Sequence, residues 1–113
     1  MKEVRAYIKP EKLTAVTLAL HEIDGLTGMS VIHARGFGRG HKERGAQERI
    51  EQLLDHVPNF RVEIVCSDEL VVRVVEMIKD HAYTGLRGDG KIYVAPIEDA
   101  VRISTGERGE KAI

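Results

Sequence analysis

Along residues 3 to 9, EVRAYIK, the apolar Val4, Ala6 and Ile8 fall on every second position, the period of a strand with one buried side. Pro10 interrupts the alternation. From Glu11 onward Leu13, Val16, Leu20 and Ile23 recur at spacings of three and four, which predicts a helix with one apolar side that stops at Asp24-Gly25. Residues 29 to 35, MSVIHAR, predict a second strand leading into RGFGRG at 35 to 40. The order then repeats. FRVEIVC at 60 to 66 alternates Phe60, Val62 and Ile64 as a strand. Ser67-Asp68 with Glu69 supplies an N-cap and first-turn acid, and Leu70, Val71, Val74, Val75 and Ile78 stripe a helix that Tyr83-Thr84-Gly85 ends. KIYVAPI at 91 to 97 is the next strand, and AVRIS at 100 to 104 closes the ordered part. Between the halves, QERIEQLLDHV at 47 to 57 places Ile50, Leu53, Leu54 and Val57 at helical spacing.

Two strand-helix-strand units in series predict an α+β chain with the βαββαβ order of a ferredoxin-like sandwich. Two helices cover only one face of such a sheet. Assembly of several copies around the other face is the natural way to hide it. At 113 residues the chain makes a single domain, 1–113, with one core.

Composition narrows the function classes. A net charge of −1 gives no general field for polyanions, and 4% aromatic content leaves little to stack on bases, so nucleic acid is not an expected partner. The single cysteine, Cys66, forms no intrachain disulfide; without a leader-like apolar stretch after Met1, a reducing cytoplasmic setting is expected. No apolar run reaches the ~18 residues of a spanning helix, so a membrane role would be peripheral, through a partner.

The chemistry concentrates in two glycine clusters. In RGFGRG, Gly36, Gly38 and Gly40 alternate with Arg35, Phe37 and Arg39; in TGLRGDGKIYV at 84 to 94, Gly85, Gly88 and Gly90 surround Arg87, Asp89 and Lys91. Glycine accepts positive φ and close approach, and successive N–H groups in such turns form concave anion sites that nearby cations strengthen. Neither cluster fits the phosphate loop GxxxxGK[ST], and neither opens a helix as a dinucleotide fingerprint requires. Taken singly, each reads equally as a turn with solvated charges. Two together, with Arg102 on the closing strand, favour an anion site.

TGLRGDGKIYV resembles the B-loop signature of the PII signal-transduction proteins. GFGR at 36 to 39 resembles the start of that family's T-loop, RGA at 44 to 46 recurs within it, VEIV at 62 to 65 resembles the following strand, and RISTGERG at 102 to 109 resembles the C-terminal loop. The resemblance divides the domain into a T-loop-like segment 36–58, a B-loop 84–91 and a C-terminal loop and tail 102–113. It implies a cytoplasmic homotrimer that binds adenine nucleotides (ATP, ADP or AMP) in clefts between subunits. The nucleotide state would pass through a mobile loop to a protein target, such as a membrane transporter or a metabolic enzyme. Carried over by position, Gly36, Gly38, Arg39, Val65, Gly88, Asp89, Gly90, Lys91 and Arg102 would line the nucleotide site. Asp89 would fix the loop, or the base or ribose, rather than meet an anion. His41, Arg44, Ile50, Leu53, Leu54 and Val57 would belong to the loop that meets the partner, unless the apolar stripe packs on its own trimer.

Departures from the family pattern bear on the small-molecule effector. Gly40 stands where relatives that bind 2-oxoglutarate through magnesium have Gln, Asn59 stands for a lysine, and Ser104 for a second C-terminal arginine. A 2-oxoglutarate response is therefore not expected, and the need for magnesium stays open. No Tyr, Ser or Thr lies between Arg39 and Pro58, so the hydroxyl that relatives modify is missing.

Two rival readings remain: a trimeric divalent-metal protein of the same shape using His and Cys, and a small phosphate-ester hydrolase with Arg39 in its cradle. The five histidines and Cys66 match no metal-ligand spacing, so no metal ligands are assigned. His21 and His81 fall near helix ends, while His41, beside the glycine loop, could bind an anion or sense pH. No nucleophile with a neighbouring base stands out, so no catalytic residue is assigned and an enzyme is not expected. Glu107, Glu110 and Lys111 read as a solvated tail that orders with nucleotide.

Overall fold

The computed structural model describes residues 1–36 and 57–113. Four strands and two helices follow in the order β1 (Lys2–Ile8), α1 (Leu13–His21), β2 (Ser30–Gly36), β3 (Val57–Cys66), α2 (Val71–Ala82) and β4 (Lys91–Pro96). Short 3-10 turns at Pro10–Lys12 and Asp68–Leu70 lead into the helices, and a third, Gly109–Ala112, ends the chain. The sheet has the order β2-β3-β1-β4 with every neighbouring pair antiparallel, which is the expected ferredoxin-like arrangement.

The core lies between this sheet and the helices. Val4, Ala6 and Ile8 of β1 and Val62, Ile64 and Cys66 of β3 turn toward Val16 and Leu20 of α1 and Val74 and Ile78 of α2. Each such large side chain contributes about 1.5–3 kcal/mol through burial. Cys66 packs as a small apolar group, and burial pushes its thiol up from the ordinary value.

Among the described residues no helix lies on the other face. Its centre is a ladder of charges: Arg5 Nη2 lies 2.9 Å from Glu3 Oε1, Arg5 Nε lies 3.8 Å from Glu63 Oε1, and Arg61 Nε lies 3.0 Å from that same oxygen. Tyr7 and Tyr93 meet edge to face beside it, with ring centroids 6.3 Å apart. Among the described residues Asn59 Oδ1 is shielded from water yet has no hydrogen-bond partner, while the equally shielded Arg61 Nε faces Glu63 as an ion pair outside hydrogen-bond geometry.

Several expectations change. Val57 belongs to β3, opposite Gly36, and is not the last residue of a helical stripe. Pro58 is tolerated there because the β1 ladder has already ended at the Ile8–Phe60 pair, leaving only β2 alongside. AVRIS is not a strand of the sheet. Val101 makes one isolated bridge, to Arg108, within a hairpin that Ala100 O and Arg102 close through hydrogen bonds from Gly109 N and Gly106 N and between Arg102 N and Glu107 O. Arg108 Nη1 donates to Asp99 Oδ2 at 2.7 Å across its base. The tail through Glu107, Glu110 and Lys111 is folded, as a hairpin and a 3-10 turn. Ser67 makes no capping hydrogen bond, and Asp68 instead accepts from the Met1 ammonium at 3.0 Å.

Candidate anion-binding loop and its place on the sheet

The loop from Thr84 to Lys91 joins α2 to β4. Helix α2 ends where Tyr83 turns extended (φ −68°, ψ 129°), and the chain must then reverse within a few residues to enter β4 beside β1. Gly85, Gly88 and Gly90 take φ of 78°, 82° and 97°, all in the left-handed region that side chains other than glycine rarely adopt. Gly90 is constrained further, because a Cβ there would sit 1.7 Å from the Tyr7 carbonyl oxygen. Its glycine is demanded by β1, a reason independent of any ligand.

Asp89 holds the loop together. Its Oδ2 accepts from Thr84 N at 2.9 Å and from Gly85 N at 3.3 Å, while the Thr84 hydroxyl donates to Oδ1. The same hydroxyl accepts from Leu86 N at 3.1 Å and from Lys9 Nζ at 3.0 Å, and Lys9 Nζ lies 3.2 Å from Asp89 Oδ1. Foremost the Thr84 hydroxyl, then the Thr84 N–H, with Lys9 and Gly85 adding to them, hold the Asp89 carboxyl far below the ordinary carboxylate value. Both of its oxygens turn into the loop, so the geometry describes the loop-fixing role among those considered for it.

Three N–H groups, those of Thr84, Gly85 and Leu86, are thus engaged internally. Gly88 and Gly90 are solvent-facing, and Lys91 is exposed at the start of β4 opposite Tyr7. Lys9 and Thr84 were missed by sequence reading. Their contact spans 75 positions, which no local spacing reveals; the one local hint is Lys9-Pro10 closing a strand.

The remaining site residues divide by position. β1 and β2 end, and β3 and β4 begin, at the same end of the sheet, so Gly36 and the loop 84–91 share that end. They lie on opposite edges, however, three strand spacings or at least ~14 Å apart. Val65 is eight residues from Val57 along β3, ~26 Å toward the other end, and the hairpin with Arg102 leaves the sheet there after Pro96. Arg102 is exposed and in a loop, not on a strand. One described chain therefore brings together Gly88, Asp89, Gly90 and Lys91 but not Gly36, Val65 or Arg102. Gly38, Arg39, His41, Arg44, Ile50, Leu53 and Leu54 lie outside the described residues.

Other constellations are accounted for locally. His81 Nδ1 lies 2.9 Å from Met77 O of its own helix, and His33 packs against Phe60 with ring centroids 4.6 Å apart. Among the described residues no group of three or more His, Cys, Asp or Glu is placed to hold a metal ion, and no helix is long and apolar enough to cross a membrane.

Comparison with known proteins agrees with this anatomy. The family model of nitrogen regulatory protein P-II matches residues 1–107. The chain is 52% identical to the nitrogen regulatory protein P-II of Rhodospirillum rubrum, 50% to that of Azospirillum brasilense and 47% to that of Haemophilus influenzae, each over the full length of both chains. Matched by that family model over residues 1–107 and identical to such relatives at about half of all positions over their entire length, the chain belongs to the nitrogen regulatory protein P-II family.

Proposed function

We propose that this chain is a trimeric P-II signalling protein that binds adenine nucleotides in clefts between its copies and regulates a protein target according to the nucleotide held. The observation that carries this reading is the loop Thr84–Lys91, whose three left-handed glycines and internal Asp89 hub leave Lys91 and the backbone around Gly88 and Gly90 facing solvent. In this reading a phosphate lies against the solvent-facing backbone at Gly88 and Gly90, and Lys91 supplies a point charge.

The separation of the other residues supports the intersubunit part. Gly36, Val65 and Arg102 reach a site at Lys91 only if neighbouring copies contribute them, since within one chain they lie on another edge or at another end. The sheet face opposite the helices, where Asn59 Oδ1 is shielded from water without a hydrogen-bond partner among the described residues, is suited to such packing. Residues 40 to 56 act on the partner in this scheme, the apolar Ile50, Leu53 and Leu54 forming the contact and Gly38, Arg39, His41 and Arg44 linking it to the nucleotide. Ligand contact made in only one loop state supplies the differential energy of the switch. The protein acts by binding, not by turnover. Asn59 in place of a cation and Gly40 in place of a metal-binding amide argue for a response to nucleotide alone, without 2-oxoglutarate.

Thermal denaturation with AMP, ADP and ATP, each with and without magnesium and 2-oxoglutarate, tests the ligand class, because a ligand of the native state raises the midpoint. Calorimetric titration then tests the residues: Lys91→Ala and Arg102→Ala are each expected to weaken the best nucleotide about tenfold or more while leaving the protein folded. Unchanged affinity in both variants would falsify the site assignment.

A further inference from the structure

The structure joins the end of β1 to the candidate phosphate loop through one side chain that no motif singles out. Lys9 is the first residue beyond the β1–β3 ladder, and its side chain is only 18% exposed. Its stem passes beneath the loop, with Cε 3.8 Å from where a Cβ at Gly88 would lie, and its ammonium donates to Thr84 Oγ1 at 3.0 Å and sits 3.2 Å from Asp89 Oδ1. The Thr84 hydroxyl is thereby saturated, with Lys9 and Leu86 N on its lone pairs and its proton on Asp89. Removing the ammonium opens this hub at its centre. It also leaves the Asp89 charge uncompensated two residues from Lys91, where an anionic ligand is to be received.

We infer that Lys9 is a positioning residue for the loop Thr84–Lys91, which holds the loop in its anion-receiving shape and cancels its internal acid without itself touching the phosphorylated ligand. The inference rests on the nucleotide reading for its ligand, but the loop-setting part stands on the contacts of Lys9 alone. Lys9 reaches the loop from below, against Gly88 and Thr84, and the two acceptors it meets among the described residues belong to the loop.

The test compares the full-length protein with Lys9→Met, which keeps an unbranched stem and loses the charge, and Lys9→Arg, which keeps both. ATP affinity is measured by calorimetry, and amide hydrogen exchange is followed at Thr84, Gly85 and Leu86 without ligand, with β1–β3 amides as the control for folding. Lys9→Met is expected to weaken ATP about tenfold and to speed exchange in the loop but not in the β1–β3 ladder, and Lys9→Arg to restore most of both. Undiminished ATP affinity in Lys9→Met overturns the proposal, because a packing stem alone would then suffice. So does lost affinity with unchanged loop exchange, which would make Lys9 a direct ligand. If the unaltered protein binds no adenine nucleotide, the functional reading fails, and faster loop exchange in Lys9→Met still upholds the positioning role while unchanged exchange removes it.

Discussion

Gly90 shows how a motif residue can be constrained twice. In the sequence it belongs to a glycine cluster suggestive of anion binding; in the structure its φ of 97° and the 1.7 Å approach of a built Cβ to Tyr7 O leave room for no side chain. The obstacle is backbone in the middle of the sheet, so it cannot swing away as a flexible side chain would. Gly90→Ala must shift β4 from β1 or distort the loop, and a loss of about 2–4 kcal/mol is expected. Gly88→Ala has the same kind of φ, 82°, but meets only Lys9 Cε at 3.8 Å, so about 1 kcal/mol is expected there. Urea unfolding midpoints check the pair. Equal losses in the two variants would show that φ alone, not the contact with Tyr7, sets the requirement.

The loop 84–91 works as one element, and its cohesion depends on the charge state of Asp89. That carboxyl is held below its ordinary value of 3.8 chiefly by the Thr84 hydroxyl and N–H. A depressed value means that the charged form is favoured in the folded state, so its contribution is fully present above pH 3.8 and is lost as pH falls below that value toward the folded one. Amide NMR shifts of Thr84 and Gly85 are therefore expected to stay flat from neutral pH to about 4 and to move only in stronger acid. A titration midpoint at or above the ordinary value would contradict the hub. Elements differed in how far they could be read in advance. The alternation of Val4, Ala6, Ile8 and of Val62, Ile64 reports burial correctly because both helices cover β1 and β3. Val101 and Ile103 show the same period of two, yet are 50% and 101% exposed in a hairpin. Periodicity records which positions are apolar, not what covers them. The glycine loop was legible because φ > 0 leaves a residue-type signature; Lys9 was not, because its role arises only when β1 and β4 pair.

Beyond a single copy, the sheet face opposite the two helices is the surface on which the proposed assembly can be tested. Glu63 stands between Arg5 and Arg61 on that face, 3.8 and 3.0 Å from their Nε atoms. In an isolated chain these side chains are 30–43% exposed, and an ion pair open to water is worth about 0–1 kcal/mol. Enclosed between copies the same acid would separate two guanidiniums, and removing one member of a buried set costs about 3–5 kcal/mol because the remaining charges stay unpaired. Glu63→Ala therefore distinguishes the two situations. Sedimentation equilibrium of the unaltered protein is expected to give about three times the chain mass of 12.6 kDa, and Glu63→Ala is expected to dissociate toward 12.6 kDa at micromolar concentration while the chain stays folded. On the proposed reading, in which Gly36, Val65 and Arg102 meet Lys91 across copies, the dissociated variant should lose nucleotide binding together with assembly although none of those residues has changed. A variant that still assembles threefold would place the charge ladder in solvent, and one that dissociates yet binds nucleotide with full affinity would confine the site to one chain.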